Sequence, residues 1–198
     1  MNVRIQYPVN FNAAIFYGGR LRMNNFYARL FLTTNVTDIE SQNIALDRLK
    51  HFVYAEMDST VFINSFEQEF CQMYVDCGLN VTTLPGEPVD QLIGIMLYYK
   101  LNAIMEGRII VTDVEISSTL SENVTYCHSE NENVSVDIAE WWDAADLIHC
   151  DEDLFDEDKV VNLHRVGAWR ELELHWPTDD DEETTDNTVA FGDLNKDE

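Results

Sequence analysis

From Phe26 to Thr34 apolar and polar side chains alternate. Phe26, Ala28, Leu30 and Leu32 fall on one face, and Tyr27, Arg29 and Phe31 on the other. A period of two is the pattern of a strand with unlike faces, and it excludes a helix over the same residues. Upstream, residues 3–17 mix aromatic and β-branched side chains and carry no helical stripe, so they read as a second strand, bent or interrupted at Pro8. Gly18-Gly19 stands between them as a turn, and together the two segments predict a long β-hairpin.

Two helices follow from capping and periodicity. Thr37-Asp38-Ile39-Glu40 has the form of a capping box, and Ala45, Leu49, Phe52, Val53 and Met57 are spaced for one helical face ending near Asp58. Pro88 suits a first helical turn, Val89, Leu92, Ile93, Met96, Ala103 and Ile104 supply a stripe, and Gly107 is a natural stop. Residues 66–75, between the helices, fit neither period. Residues 109–116 read as a strand, and residues 124–127 as its partner. Residues 1–128 therefore predict an α+β domain, an antiparallel sheet with two helices packed on one face in the order ββααββ.

Charge divides the chain. Residues 129–198 hold 23 acids and 4 bases, against 14 acids and 8 bases before them, within a formal net charge of −25. This marks an acidic, Trp-containing extension over residues 129–177 and an acidic, flexible tail over 178–198. Within the extension, residues 138–148 suggest a helix, and residues 160–176, turning near Gly167, a hairpin. In the tail only Val189-Ala190-Phe191 has the apolar character to dock.

Such charge opposes direct binding to nucleic acid or an anionic membrane and suits a basic protein surface. It equally suits simple solvation. Trp141 and Trp142, inside the acidic block, with Asp151, Glu152 and Asp153, form a candidate partner-binding group. The alternative is that these indoles, with Trp169 and Trp176, pack the extension onto the domain. No long apolar run is present, and the start carries no secretory pattern, so a cytoplasmic protein with reduced Cys71, Cys77, Cys127 and Cys150 is expected. On that reading the Asn-Val-Ser/Thr triplets at Asn35, Asn80, Asn123 and Asn133 go unmodified. Cys127-His128 and His149-Cys150 match no zinc-finger spacing, and no metal or cofactor is expected. Gly-x-Ser-x-Gly and phosphate-loop motifs are also missing.

Several local patterns resemble the 6-pyruvoyl-tetrahydropterin synthase and 6-carboxy-tetrahydropterin synthase family, whose architecture is the tunnelling fold. Phe11-Asn12-Ala13-Ala14 is similar to the family's first-strand Phe-x-Ala-Ala, and Asn24-Asn25-Phe26-Tyr27 sits where the family has Gly-His-x-Tyr. Leu46-Asp47-Arg48-Leu49-Lys50, Met57-Asp58-Ser59 with Ile63-Asn64, and Asp90-Gln91-Leu92 resemble further family segments. Val114-Glu115-Ile116 with Tyr126 resembles the third-strand Val-x-Glu that anchors the pterin. The resemblance covers residues 11–128 and implies a homo-oligomer assembled through its sheets. It also implies Glu115 as a ligand-binding residue, since a carboxylate can accept two adjacent N–H groups of a pterin or guanine edge. The other reading of Glu115 is an exposed acid on the wet face of an edge strand. The family's three zinc histidines are replaced by Ile15, Met23 and Asn25, and its catalytic histidine by Ser59. The expectation is a non-catalytic binding protein keeping a pterin- or purine-like pocket. The alternatives are an acidic interaction protein that engages a basic surface, as a nucleic-acid mimic or inhibitor, or a structural assembly protein.

Overall fold

The computed structural model describes residues 3–34, 38–122, 124–129, 139–146 and 169–177. The expected hairpin is its backbone. Strands β1 (Val3–Tyr17) and β2 (Arg20–Thr34) pair antiparallel along their whole lengths, from Val3 with Thr34 to Tyr17 with Arg20. Gly18 and Gly19 close the turn with φ of +59° and +72°, the two positive values a tight hairpin loop requires. Pro8 does not interrupt β1. The other side of β1 is paired only at Ala14 and Ile15, so no partner needs the missing N–H at Pro8.

Helix α1 (Ile39–His51) follows. Its cap is Asp38, one residue later than the capping-box spacing suggests, because the Asp38 carboxylate accepts from both Glu40 N (3.0 Å) and Ser41 N (3.3 Å). The helix does not continue as an α-helix to Asp58. Phe52–Met57 form a π-helical segment, whose wider turn brings Phe52, Val53, Glu56 and Met57 all inside.

Next comes a unit that the sequence pattern did not announce. Strand β3 (Val61–Asn64), helix α2 (Gln68–Asp76) and strand β4 (Val81–Leu84) form a parallel crossover between the two expected helices. Helix α3 (Asp90–Met105) starts two residues beyond Pro88, with Val89 at its cap. It is buried nearly all round rather than on one stripe. Gly94 lets it lie against the sheet: a Cβ there would meet Ile116 Cγ2 at 2.8 Å. Strands β5 (Ile110–Ser118) and β6 (Tyr126–Ser129) complete a six-stranded sheet in the order β4-β3-β1-β2-β5-β6.

The main core lies between the sheet and the α1/α3 layer. Val9, Phe11 and Ala13 of β1 join Phe26, Ala28, Leu30 and Leu32 of β2 beneath Leu49, Phe52 and the inner residues of α3. Phe11 and Phe26, directly paired across the strands, stack with ring centres 5.0 Å apart. Helix α2 packs on the opposite face, where Phe70 and Tyr74 meet the ring of Phe16 at 4.6 and 5.9 Å.

In the extension, helix α4 is short (Glu140–Asp143). Most of the expected hairpin and the whole acidic tail lie outside the described residues. Residues 169–177, its described end, run as turns rather than as a strand, with Trp169 and Trp176 buried. Among the described residues no helix is long and apolar enough to cross a membrane.

Candidate functional site

The sheet face away from α1 and α3 is where the expected ligand-binding residue stands. Glu115 on β5 is paired directly with Arg29 on β2, and Arg29 Nη1 donates to Glu115 Oε2 at 2.9 Å. Tyr27 is opposite Ser117, and Glu115 is opposite Cys127 of β6. Glu115 is therefore not on an edge strand, because β6 covers β5. Its side chain is 30% exposed and that of Arg29 53%. A partly exposed carboxylate with a planar cation on one oxygen can accept N–H donors at its other lone pairs, and Tyr27 stands on the neighbouring strand.

A second polar group gathers nearer the hairpin turn. Asp58 Oδ1 accepts from the backbone N–H of Asn12 at 2.8 Å, and Asn12 is paired with Asn25. Ser59 follows in left-handed backbone (φ +66°), with its hydroxyl 3.3 Å from Asp58 Oδ2. Asp58 and Ser59 are thus tied to Asn12, and β1 stands between them and Asn25. The three positions that correspond to the family's zinc histidines are not brought together. Met23 and Asn25 lie on the outward face, whereas Ile15 is on the opposite side of β1 and packs against the main core. Neither the side chains nor their directions suit a zinc site, which needs three converging N, S or O ligands. Among the described residues no three His, Cys, Asp or Glu side chains cluster to hold a metal ion. Cys127 is exposed while His128 turns inward against Tyr98, ring centres 4.8 Å apart. His149 and Cys150 lie outside the described residues.

The chain's most unusual chemistry is on the helix side, and the site reading of the sequence did not include it. Lys100 of α3 is fully buried. Its Nζ donates to the carbonyls of Trp141 and Ala144, each at 2.8 Å, and to that of Asp146. Burial lowers its pKa to about 8, against the opposing pull of Asp146 and Glu56. Glu56, buried in the π-helical segment, is raised to about 7 by burial, with Lys100 pulling the other way. His51 Nε2 lies 3.5 Å from Glu56 Oε1, and burial lowers its pKa too.

Arg48 of α1 is the second buried cation. It donates to Leu174 O (2.7 Å), Ile104 O (3.1 Å) and Glu106 Oε1 (2.8 Å). Its guanidinium carbon lies 3.8 Å from the centre of the Trp176 ring and 4.7 Å from that of Trp169. Trp169 in turn donates to Ala145 O at 2.7 Å. Two cations thus buckle the described parts of the extension to the helical layer. Trp142 is completely buried and Trp141 partly so, packed edge-to-face on each other. In this fold Trp142 is a packing residue, not an exposed aromatic surface. Asp151, Glu152 and Asp153 lie outside the described residues.

No protein-family model matches the chain, and no curated protein matches it. Among solved structures it is similar to an uncharacterized protein from Wolinella succinogenes, with a TM-score of 0.48 and 11% identity over 66% of this chain and 99% of that one. It is also similar to the 6-pyruvoyl tetrahydropterin synthase of Plasmodium falciparum (TM-score 0.42, 15% identity, 64% of this chain and 96% of that one). The corresponding enzyme of Plasmodium vivax gives a TM-score of 0.41 and 12% identity over 67% of this chain and 99% of that one. The resemblance to that family is one of fold, and it is weak.

Proposed function

We propose that the chain is a non-catalytic binding protein whose outward sheet face receives a small planar heterocycle of the pterin or purine kind at Glu115. The observation that carries this reading is the pairing of an accessible carboxylate with incomplete chemistry around it. Glu115 stands on an open face beside Tyr27, while the positions that would hold a metal carry Ile15, Met23 and Asn25, with Ile15 facing the core. Binding can therefore outlast catalysis. Assembly of several copies through their sheets, which the resemblance implies, belongs to the same reading.

The test is a thermal-shift and calorimetric screen of the full chain against pterins, guanine and 7-deazaguanine derivatives, with Zn²⁺ as a control. One heterocycle should raise the melting midpoint of the wild type and leave Glu115→Ala unmoved, with the unliganded midpoint unchanged. Equal stabilisation of both proteins would overturn the assignment.

One observation favours a second reading, an acidic protein that engages a basic surface. Trp142, Trp169 and Trp176 are buried against the domain, so the described ends of the extension are held to it by packing, and the acids of the sequence between them are left to the test. Deleting residues 129–198 would strip buried indoles from the core, so the cleaner test neutralises Asp151→Asn, Glu152→Gln and Asp153→Asn together. Capture of a basic partner should weaken at least tenfold and fall steeply with salt. Salt-insensitive capture would sink this reading.

A further inference from the structure

Helix α3 is buried nearly all round, although the sheet can cover only one side of it. Gly94 marks the sheet side by its close approach to Ile116. Lys100, six positions on, lies about 120° round the helix. It is covered instead by residues 139–146, whose carbonyls at Trp141, Ala144 and Asp146 match the three N–H donors of its ammonium. Residues 169–177 are held from the neighbouring helix. Arg48 of α1 donates to Leu174 O, and the Arg48 and Arg108 guanidinium carbons lie 3.8 and 4.1 Å from the centre of the Trp176 ring. Glu106 binds both guanidiniums.

Neither segment can keep this form alone. Among the described residues neither adds a strand to the sheet. Helix α4 runs only from Glu140 to Asp143, too short to be stable in isolation. Their order depends on side chains of the domain, so each has a docked and a released state. The two segments are also tied to each other. Trp169 Nε1 donates to Ala145 O across 24 positions of sequence. The Trp169 ring lies against Arg48, and its own carbonyl accepts from Leu174 N. Trp169 therefore belongs to both attachments, and releasing it loosens the carbonyls around Lys100 as well as the indoles against Arg48. We propose that residues 139–146 and 169–177 are one latch, which docks on and releases from the α1/α3 layer as a unit while the α+β domain stays folded. The domain keeps its own core, because Val9, Phe11, Phe26 and Leu30 pack between the sheet and the helices, on the other side of α3. Closed, the latch shields the Lys100 and Arg48 cations from water. Open, it presents both on a protein of net charge −25.

All four tryptophans lie in the latch, so indole emission follows it while far-ultraviolet circular dichroism follows the sheet and helices of the domain. In urea, the emission of the full chain should change in one step, at lower denaturant than the ellipticity. Lys100→Met and, separately, Trp169→Phe should move the emission step to still lower urea and leave the ellipticity midpoint in place. Hydrogen exchange of the native proteins, read by mass spectrometry, tests the coupling. Lys100→Met should speed exchange in residues 169–177 at least about tenfold, although its acceptors all lie in 139–146, and Trp169→Phe should do the same for 139–146. Emission and ellipticity that change together in all three proteins overturn the separate release. Exchange that quickens only in the segment next to each substitution, or in neither, overturns the unit.

Discussion

Two arginine–glutamate pairs of nearly the same length sit on the two sides of the molecule. Arg48 meets Glu106 at 2.8 Å on the helix side, and Arg29 meets Glu115 at 2.9 Å on the outward face of the sheet. Distance does not separate them, but their surroundings do. Arg48 is 2% exposed, also donates to two backbone carbonyls, and lies against Trp169 and Trp176. Arg29 is half in water and its donor bond goes to one carboxylate. A buried guanidinium must satisfy its fork completely or carry a desolvation penalty of several kcal/mol, so the chain has built the extension around it. An exposed one needs nothing of the kind and is available for exchange with a ligand.

The sharpest way to break this comparison is Arg48→Met. It leaves the Leu174 and Ile104 carbonyls without their donor and removes the cation from between two indoles. A loss of about 3–5 kcal/mol is expected in urea unfolding. Arg48→Lys should recover little, because an ammonium cannot present a planar fork to three acceptors while stacking on the rings. A loss below about 1 kcal/mol would place Arg48 with Arg29 and dissolve the distinction.

The outward face was readable before the structure, and the helix side was not, for physical reasons. Alternation from Phe26 onward fixes which side chains of β2 face the core, because a strand's period of two leaves no other choice. Glu115 falls on the wet face by the same logic. Strands β3 and β4 escaped notice because each has four residues, and Val61, Phe62 and Ile63 are buried in succession, so no alternation exists to be read. The buried cations left only a trace: Lys100 is the one charge within the apolar run of α3. Its acceptors lie more than 40 residues away, on carbonyls that have no residue-type signature. Glu56 stands three residues after Val53 and four after Phe52, on the apolar face of its helix, and an isolated carboxylate at that spacing carries no sign of its burial or its partner. The tryptophans were correctly suspected of packing, although nothing in their spacing pairs Trp169 and Trp176 with Arg48.

Next in size is the pH dependence of the buried pair. Lys100, lowered by burial to about 8, binds fewer protons when folded than unfolded between about pH 8 and 10.4. Stability should climb with pH across that window. Glu56, raised to about 7, binds more protons when folded between about pH 4.5 and 7. Its stabilisation is complete below that range and is lost as pH rises through 7, by up to about 3 kcal/mol at roughly 1.36 kcal/mol per unit. Urea unfolding from pH 4.5 to 10 should therefore show a fall and then a rise. Glu56→Gln should flatten the acid limb and Lys100→Met the alkaline one. An acid limb unchanged in Glu56→Gln would assign the slope to other groups.

The smallest expected effect is on the outward pair, and its value lies in its sign. Arg29→Ala and Glu115→Gln should each change stability by less than about 1 kcal/mol, with a coupling in the double mutant that fades as salt is added. Ligand binding should separate the two variants where stability does not. Glu115→Gln removes the anionic acceptor and should abolish heterocycle binding. Arg29→Ala frees the oxygen the guanidinium now holds, so a heterocycle that competes with Arg29 for the carboxylate should bind several-fold more tightly. Calorimetry on the two variants distinguishes this from a heterocycle that bridges both residues, for which Arg29→Ala weakens binding as Glu115→Gln does. Tighter binding would mean that the ion pair holds the carboxylate in reserve, and that its weakness in water is what lets the face work as a site.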